Sequence, residues 1–407
     1  VRNTAPHREV PVSVPGAVQL KPQRRNRRTH PWIFASEVAR FPPLEQVADG
    51  SMVDVLDAQG RFCGRGFLNR QSQIAVRYLE RGADVVIDRT WWIERFGKAL
   101  EHRHRFLGPQ VKTFRWIHGE ADGLPGLTVD RYGDFVVVQL LALGLEPWRE
   151  VIVECLAELG SPLGIFERSD APVRRLEGLK ERVGCLWGEP PPTLVEIEEG
   201  SARLLVDIQQ GQKTGLFLDQ RFNRQHAARF AEGRNVLNAF GYTGAFGVHC
   251  ALAGASSVLN VDIAEAATAI ADQNAQLNRV AERCRALTAN AFDVLREFDR
   301  EGRRFEMIIL DPPAFAKSRS VLEGALRGYK EINLRAMKLL TPGGILVTCS
   351  CSSHLSMEMF RDVIRDAAQD TGRTACLVEQ RGQAPDHPIL LHIPETEYLK
   401  YLLISID

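Results

Sequence analysis

At 407 residues the chain is too long for one ordinary core, and two or three domains are expected. A hydrophobic fraction of 44% and a charged fraction of 25% describe a globular protein rather than a disordered or fibrous one. The 51 basic and 51 acidic residues cancel, so net charge alone gives no reason to invoke nucleic acid. No apolar run approaches the length of a membrane span, and no membrane partner is expected. Val1 to Leu20 is broken by Pro6, Pro11 and Pro15 and has no signal-peptide core. The eight cysteines are scattered without paired spacing, which argues for reduced thiols and a cytoplasmic protein. Cys63, Cys155, Cys185, Cys250, Cys284 and Cys376 read as bland core or surface thiols.

In chain order, Lys21, Arg24, Arg25, Arg27, Arg28 and His30 cluster ahead of Pro31, Trp32, Ile33 and Phe34. Such a basic arm beside aromatic surface suits a phosphate backbone and a stacked base, and equally a solvated basic loop. Short runs around Met52 to Leu56 and Ile74 to Tyr78, spaced by turn residues, suggest a small β-barrel or sandwich over residues 10–80. Ile87 to Phe106 carries Trp91, Trp92, Phe96 and Leu100 at helical spacing. A hairpin at Leu127 to Leu141, a second amphipathic helix at Trp148 to Leu159 and a strand at Ile165 to Arg168 complete a small α+β unit over residues 81–190. It ends at Glu189 and three prolines, a stiff linker.

From residue 191 to 407 strands alternate with helices, the pattern of a doubly wound α/β sheet. After an entry strand Leu204 to Ile208, strands are expected at Asn235 to Phe240, Ser257 to Asp262, Met307 to Asp311 and Gly344 to Cys349. The third of these, Phe305 to Phe315 in full, stops at Asp311 and two prolines, which cannot continue a ladder. Asp311 is therefore expected at the carboxyl end of a buried strand, where open α/β sheets present their ligand crevice.

The first core strand runs into Gly241, Gly244 and Gly247, a glycine-punctuated turn opening a helix. It is not the G-x-G-x-x-G of a dinucleotide site. The next strand ends at Asp262, placed to reach a ribose diol, and a further one at Asn290, whose amide suits an adenine edge or an ordinary turn. Upstream, Gln212 to Arg221 packs Lys213, Asp219 and Arg221 into one stretch. Asp219 suits an ammonium and Lys213 or Arg221 a carboxylate; the plainer alternative is helix capping. Ribose, adenine and amino-acid contacts without a diphosphate cradle point to S-adenosylmethionine (SAM). The strand at Gly344 to Cys349 runs on into Ser350, Cys351 and Ser352, and a final strand at Tyr398 to Ile406 closes the sheet. Cys349 reads as a buried core residue. Cys351 lies beyond the strand and reads as a nucleophile, since no further cluster completes a zinc site.

These residues resemble the class I SAM-dependent cytosine-5 methyltransferases of bacterial large-subunit rRNA. The resemblance covers nearly the whole chain, in HPWIF at residues 30–34, GEADGLPGLTVDRYG at 119–133, QKTGLFLDQR at 212–221, NAFGYTGAF at 238–246, DPPAF at 311–315, RGYKEIN at 327–333 and SCS at 350–352. It implies an N-terminal PUA RNA-binding domain, a small middle domain and a Rossmann-like methyltransferase domain. It implies Cys351 as nucleophile beside Asp311, with Cys349 an addition to the family pattern and Asn290 standing where an acidic residue is common. Cofactor contacts are expected from Lys213, Thr214, Gly215, Phe217, Asp219, Arg221, Asn238, Phe240, Gly241, Thr243, Gly244, Asp262, Ile263, Asn290, Ala291 and Asp311. Substrate contacts are expected from Pro312, Pro313, Phe315, Arg24, Arg25, Arg27 and Trp32. The expected partner is large-subunit rRNA, and a homodimer is allowed. The rival chemistry is methylation of an exocyclic amine of guanine or adenine, which needs no thiol.

Overall fold

The computed structural model describes residues 16–22, 30–316 and 321–407, so Arg24, Arg25 and Arg27 lie outside the described residues. The chain divides into two compact units, Val1–Pro191 and Pro192–Asp407. The first unit holds two sheets. Strands β1 (Ala17–Leu20), β2 (Trp32–Phe34), β3 (Val38–Arg40), β4 (Met52–Leu56), β5 (Phe62–Leu68) and β6 (Ile74–Glu80) form one, in the order β2-β6-β5-β4-β1-β3. Its inward residues, among them Val18, Ile33, Val53, Val55 and Val76, make a core of their own.

Helix α1 (Arg89–Leu107) follows, started by Asp88, whose carboxylate accepts from the Trp91 N–H. The second sheet comprises β7 (Thr113–His118), β8 (Leu127–Tyr132), β9 (Phe135–Leu140), β10 (Gly164–Ser169) and β11 (Arg182–Gly188), with α2 (Arg149–Gly160) and the short α3 (Val173–Leu176) between strands. Trp91, Trp92 and Phe96 of α1 pack against Trp116, Trp148 and Leu156, which explains the helical spacing of those aromatics. Buried Glu177 joins the two sheets: it accepts from Asn69 Nδ2, Ser72 Oγ and Arg77 Nη2.

The second unit opens with β12 (Val195–Glu199) and β13 (Ala202–Val206), which pair only with each other. The expected entry strand is thus half of a hairpin outside the main sheet. Then come α4 (Arg221–Ala228), β14 (Asn235–Ala239), α5 (Ala245–Leu252), β15 (Ser257–Asp262), α6 (Glu265–Leu277), β16 (Cys284–Thr288), α7 (Ala291–Arg300), β17 (Phe305–Leu310), α8 (Leu322–Leu339), β18 (Leu340–Ser350), α9 (Met357–Thr371), β19 (Ala375–Arg381) and β20 (Lys400–Ile406). The seven strands are ordered β16-β15-β14-β17-β18-β20-β19, parallel except that β20 runs antiparallel to both neighbours.

Helices cover both faces of this sheet, so its central strands are apolar on both sides. Leu237, Ile308, Leu310 and Leu346 pack toward α7, α8 and α9. Val236, Met307, Ile309, Val347 and Cys349 pack on the other face with Phe246 and Tyr401. The chain leaves β14 toward β15 on one side, while β17 closes the other. That reversal of strand order opens a crevice at the carboxyl ends of β14 and β17.

Candidate active site

The crevice is a cavity of about 590 Å³, within the range of small-molecule sites. Its floor is the turn after β14. Phe240 and Tyr242 both take positive φ there, 61° and 47°, conformations that cost an L-residue about 1 kcal/mol or more. The turn is held by the Gly241 N–H on the Val261 carbonyl (2.9 Å) and the Tyr242 N–H on Asp262 Oδ2 (2.8 Å). The Tyr242 hydroxyl donates to the Gly215 carbonyl (3.0 Å) and accepts from the Gln212 N–H (2.9 Å). The two glycine-containing segments therefore form one wall. Gly247 lets α5 seat against β15: a Cβ there would lie 2.1 Å from Asn260 Oδ1.

Of the residues expected at the cofactor, Lys213, Phe217, Asp219, Phe240, Gly241, Thr243, Asp262, Ile263, Asn290, Ala291 and Asp311 line the cavity. Five others do not. Arg221 is buried behind the wall, 3.9 Å from Glu199. Asn238 is buried and donates to Asn260 Oδ1 at 2.8 Å, supporting the turn from below. Thr214 is buried, Gly215 offers its carbonyl to Tyr242, and Gly244 caps α5 in the left-handed region. Asn290 also caps a helix, its side-chain oxygen accepting from the Phe292 N–H; the turn role expected of it coexists with a place on the cavity wall. Ile263 is 70% exposed at the rim beside Asp262, an apolar surface that a flat ring would cover.

Several lining residues were not singled out from the sequence. Arg224, one turn along α4 from Arg221, lines the cavity and donates to the Phe217 carbonyl (2.9 Å). Its guanidinium grips buried Glu199 through two bonds of 2.6 Å, and His249 Nε2 lies 3.1 Å from the same carboxylate. Against the cost of burial, these partners hold Glu199 well below the usual carboxylate range. Gln220 Nε2 donates to Asp311 Oδ1 (2.9 Å), and the Tyr398 hydroxyl to Asp219 Oδ2 (2.6 Å). The only sequence signal for Gln220 was its place inside the 212–221 stretch.

Asp311 and Cys351 line the same cavity, as do Pro312, Pro313 and Phe315. Both are open to the cavity and otherwise enclosed by protein. Burial, then the neighbouring charge of Asp219, pushes Asp311 from its ordinary 3.8 up to about 7. Its carboxyl therefore keeps a proton into the neutral range and has a hydrogen to donate. Burial also pushes the Cys351 thiol up to about 11, while the Lys213 ammonium pulls the other way. Cys349 is fully buried in the core. Trp32, in the first unit, is half-buried with its indole N–H donating to Glu120 Oε1 at 2.8 Å. Among the described residues no group of three or more His, Cys, Asp or Glu side chains is arranged to hold a metal ion, and no helix is long and apolar enough to cross a membrane.

Comparison with known proteins agrees with this layout. Residues 178–399 match a family described as S-adenosylmethionine-dependent methyltransferase, and residues 18–81 a PUA-like domain. The chain is 44% identical over 382 residues to Ribosomal RNA large subunit methyltransferase I of Aeromonas hydrophila subsp. hydrophila, covering 93% of this chain and 95% of that protein. It is 42% identical to the protein of the same name from Shewanella amazonensis, covering 96% and 99%. In fold it is similar to SMU.776, a candidate methyltransferase solved with SAH (TM-score 0.81, 21% identity, 96% and 99% covered), and to a candidate SAM-dependent methyltransferase from Streptococcus mutans (TM-score 0.80, 22% identity, 95% and 100% covered). The chain belongs to the S-adenosylmethionine-dependent methyltransferase family, in the branch whose members bear the name Ribosomal RNA large subunit methyltransferase I.

Proposed function

We propose that this chain methylates carbon 5 of a cytosine in large-subunit ribosomal RNA, with Cys351 as nucleophile. The single observation that carries the reading is that a thiol and a proton-bearing carboxyl, Cys351 and Asp311, line one cavity. The relatives' shared name supplies the substrate class.

The cavity fits SAM in the chemistry of its donors. Asp262 suits the ribose diol, the apolar side chains of Ile263, Ala291 and Phe292 suit the adenine, and Asp219 with Lys213 suits the ammonium and carboxylate of the amino-acid end. When bound, SAM supplies an electrophilic methyl group on a sulfonium sulfur. Carbon 5 of a cytosine is too weak a nucleophile for that methyl unaided. The Cys351 thiolate adds to carbon 6, forming the S–C6 bond and pushing the C5–C6 π electrons toward carbon 5. Asp311, protonated below about pH 7, donates to the ring N3 and takes up the charge that thiolate addition places on the ring. After carbon 5 is methylated, loss of its proton returns the electrons that expel the thiolate. Phe315 flanks the base, which must leave any stack to reach this depth. The PUA-like domain supplies the RNA-binding surface, with Trp32 and the basic arm at Arg24, Arg25 and Arg27 as its contacts.

The test is mass analysis of nucleosides from large-subunit rRNA treated with SAM and either the full chain or Cys351→Ala. The reading expects 5-methylcytidine with the first and none with the second. A methylated guanine or adenine amine, formed equally by both proteins, replaces it with amine chemistry.

A further inference from the structure

Cys351 sits between two serines whose side chains are both buried. The Ser350 hydroxyl donates to the Tyr329 hydroxyl at 2.9 Å, and the Tyr329 and Ser352 hydroxyls share a bond of 3.0 Å. Ser352 Oγ also accepts from the Ala316 N–H at 3.2 Å, which joins this turn to the segment that begins at Asp311. These bonds fix the turn from the α8 side.

From the opposite side it is fixed by a charge. Lys400 stands across from Ser350 in the ladder between β18 and β20. Its Nζ donates to the Ser352 carbonyl and to the Tyr398 carbonyl, both at 2.6 Å. The side chain is buried, and among the described residues it forms no salt bridge. A buried ammonium held by carbonyls alone is costly, and a methionine would fill the same space without the cost. Burial pulls Lys400 down to about 8, while the sulfur of Cys351 favours its charged form; reciprocally, the ammonium favours the thiolate.

We propose that Lys400 is a positioning residue for Cys351: through the Ser352 carbonyl it fixes the turn that presents the sulfur, and its charge stabilises the thiolate. This rests on the reading of Cys351 as the nucleophile. The other groups facing that sulfur are Asp311 after β17 and Asp219 before α4, which oppose ionisation, and Lys213, which favours it. Tyr329 of α8 and Cys349 of β18 are held neutral by burial, and Glu397 acts on Lys400. Lys400 carries its charge below about pH 8, so its support for the thiolate is present there and fades as pH rises through that value.

The test is alkylation of Cys351 by iodoacetamide in the full chain, followed by mass analysis of its peptide between pH 6 and pH 10, in the wild type and in Lys400→Met, Lys400→Gln and Lys400→Arg. Glutamine keeps a donor for the Ser352 carbonyl but no charge. The rate at pH 7 falls about tenfold in the Met and Gln variants, equivalent to about one pH unit of thiol ionisation. The deficit closes above pH 9, where the wild-type lysine has lost its own charge; the Arg variant matches the wild type below pH 8 and outpaces it above pH 9, where the guanidinium is still charged. A deficit that is constant with pH, or no deficit in whichever neutral variant folds, overturns the proposal. Methylation that survives Cys351→Ala would remove the nucleophile reading alone, since the alkylation ratio reports the pairing of residues 400 and 351 without any turnover.

Discussion

Replacing Asp311 with asparagine separates what this residue does for the site from what it costs the fold. The folded chain holds the Asp311 proton to about pH 7, whereas the unfolded chain releases it near 3.8. A folded-state value raised above the unfolded one contributes stability that is complete below 3.8 and is lost as pH rises through 7. At about 1.4 kcal/mol per pH unit the displacement is nominally about 4 kcal/mol. Asparagine cannot ionise, and its carbonyl oxygen can still accept the bond from Gln220. Asp311→Asn is therefore expected to match the wild type in stability near pH 4 and to exceed it by about 4 kcal/mol at pH 8, while methylation is lost. All six tryptophans lie in the first unit, so their fluorescence does not report the relevant unfolding. Hydrogen exchange of the amides in β17 and β18 does. Equal protection of the two proteins at pH 8, or a variant less stable than the wild type there, would refute the argument.

Glu199→Ala strips the partner from buried Arg224 and His249 and is expected to cost about 3–5 kcal/mol, read by denaturant unfolding followed through far-ultraviolet ellipticity. Because Arg224 also holds the Phe217 carbonyl on the cavity wall, SAM affinity by calorimetry should fall with it. Asp262→Ala removes a carboxylate that accepts from the Tyr242 and Ala264 N–H groups and faces the expected ribose. SAM binding should weaken by about tenfold or more. Tyr329→Phe keeps the ring against Phe315, centroids 4.6 Å apart, but removes the hydroxyl that both serines bond. The methylation rate constant should drop while the SAM dissociation constant stays unchanged.

What could be read from the sequence follows from how each feature is encoded. The buried parallel strands β14, β15 and β17 are written as short apolar runs ended by Gly, Asp or Pro, so their positions and tips are legible; β18 is legible from Gly344 onward, while its start at Leu340, across Pro342 and Gly343, is not. The largely exposed strands β11, β16 and β19 carry mixed side chains and have no such signature. The run at Leu204 is apolar because β13 buries one face against α6, yet nothing in its composition says that it pairs with β12 instead of the main sheet.

At the site, Arg221 and Arg224 share one face of α4, and periodicity could not decide which reaches the cavity; the place of Glu199, set by a separate hairpin, decides it. Gln220 meets Asp311, and Tyr398 meets Asp219, across 91 and 179 residues. Such pairings are made by topology, and no local pattern announces them. Asn290 shows the converse: its local signal allowed a turn or an adenine contact, and it caps α7 from a place on the cavity wall.

The most direct measurement of the central claim is covalent capture. The full chain is incubated with SAM and large-subunit rRNA containing 5-fluorocytidine, whose fluorine cannot leave as the carbon 5 proton does. The account predicts a denaturant-resistant complex between protein and RNA, with the cross-linked peptide carrying Cys351, and no such complex for Cys351→Ala. Transfer of methyl groups to the RNA without any adduct, or an adduct mapped to another residue, would contradict it.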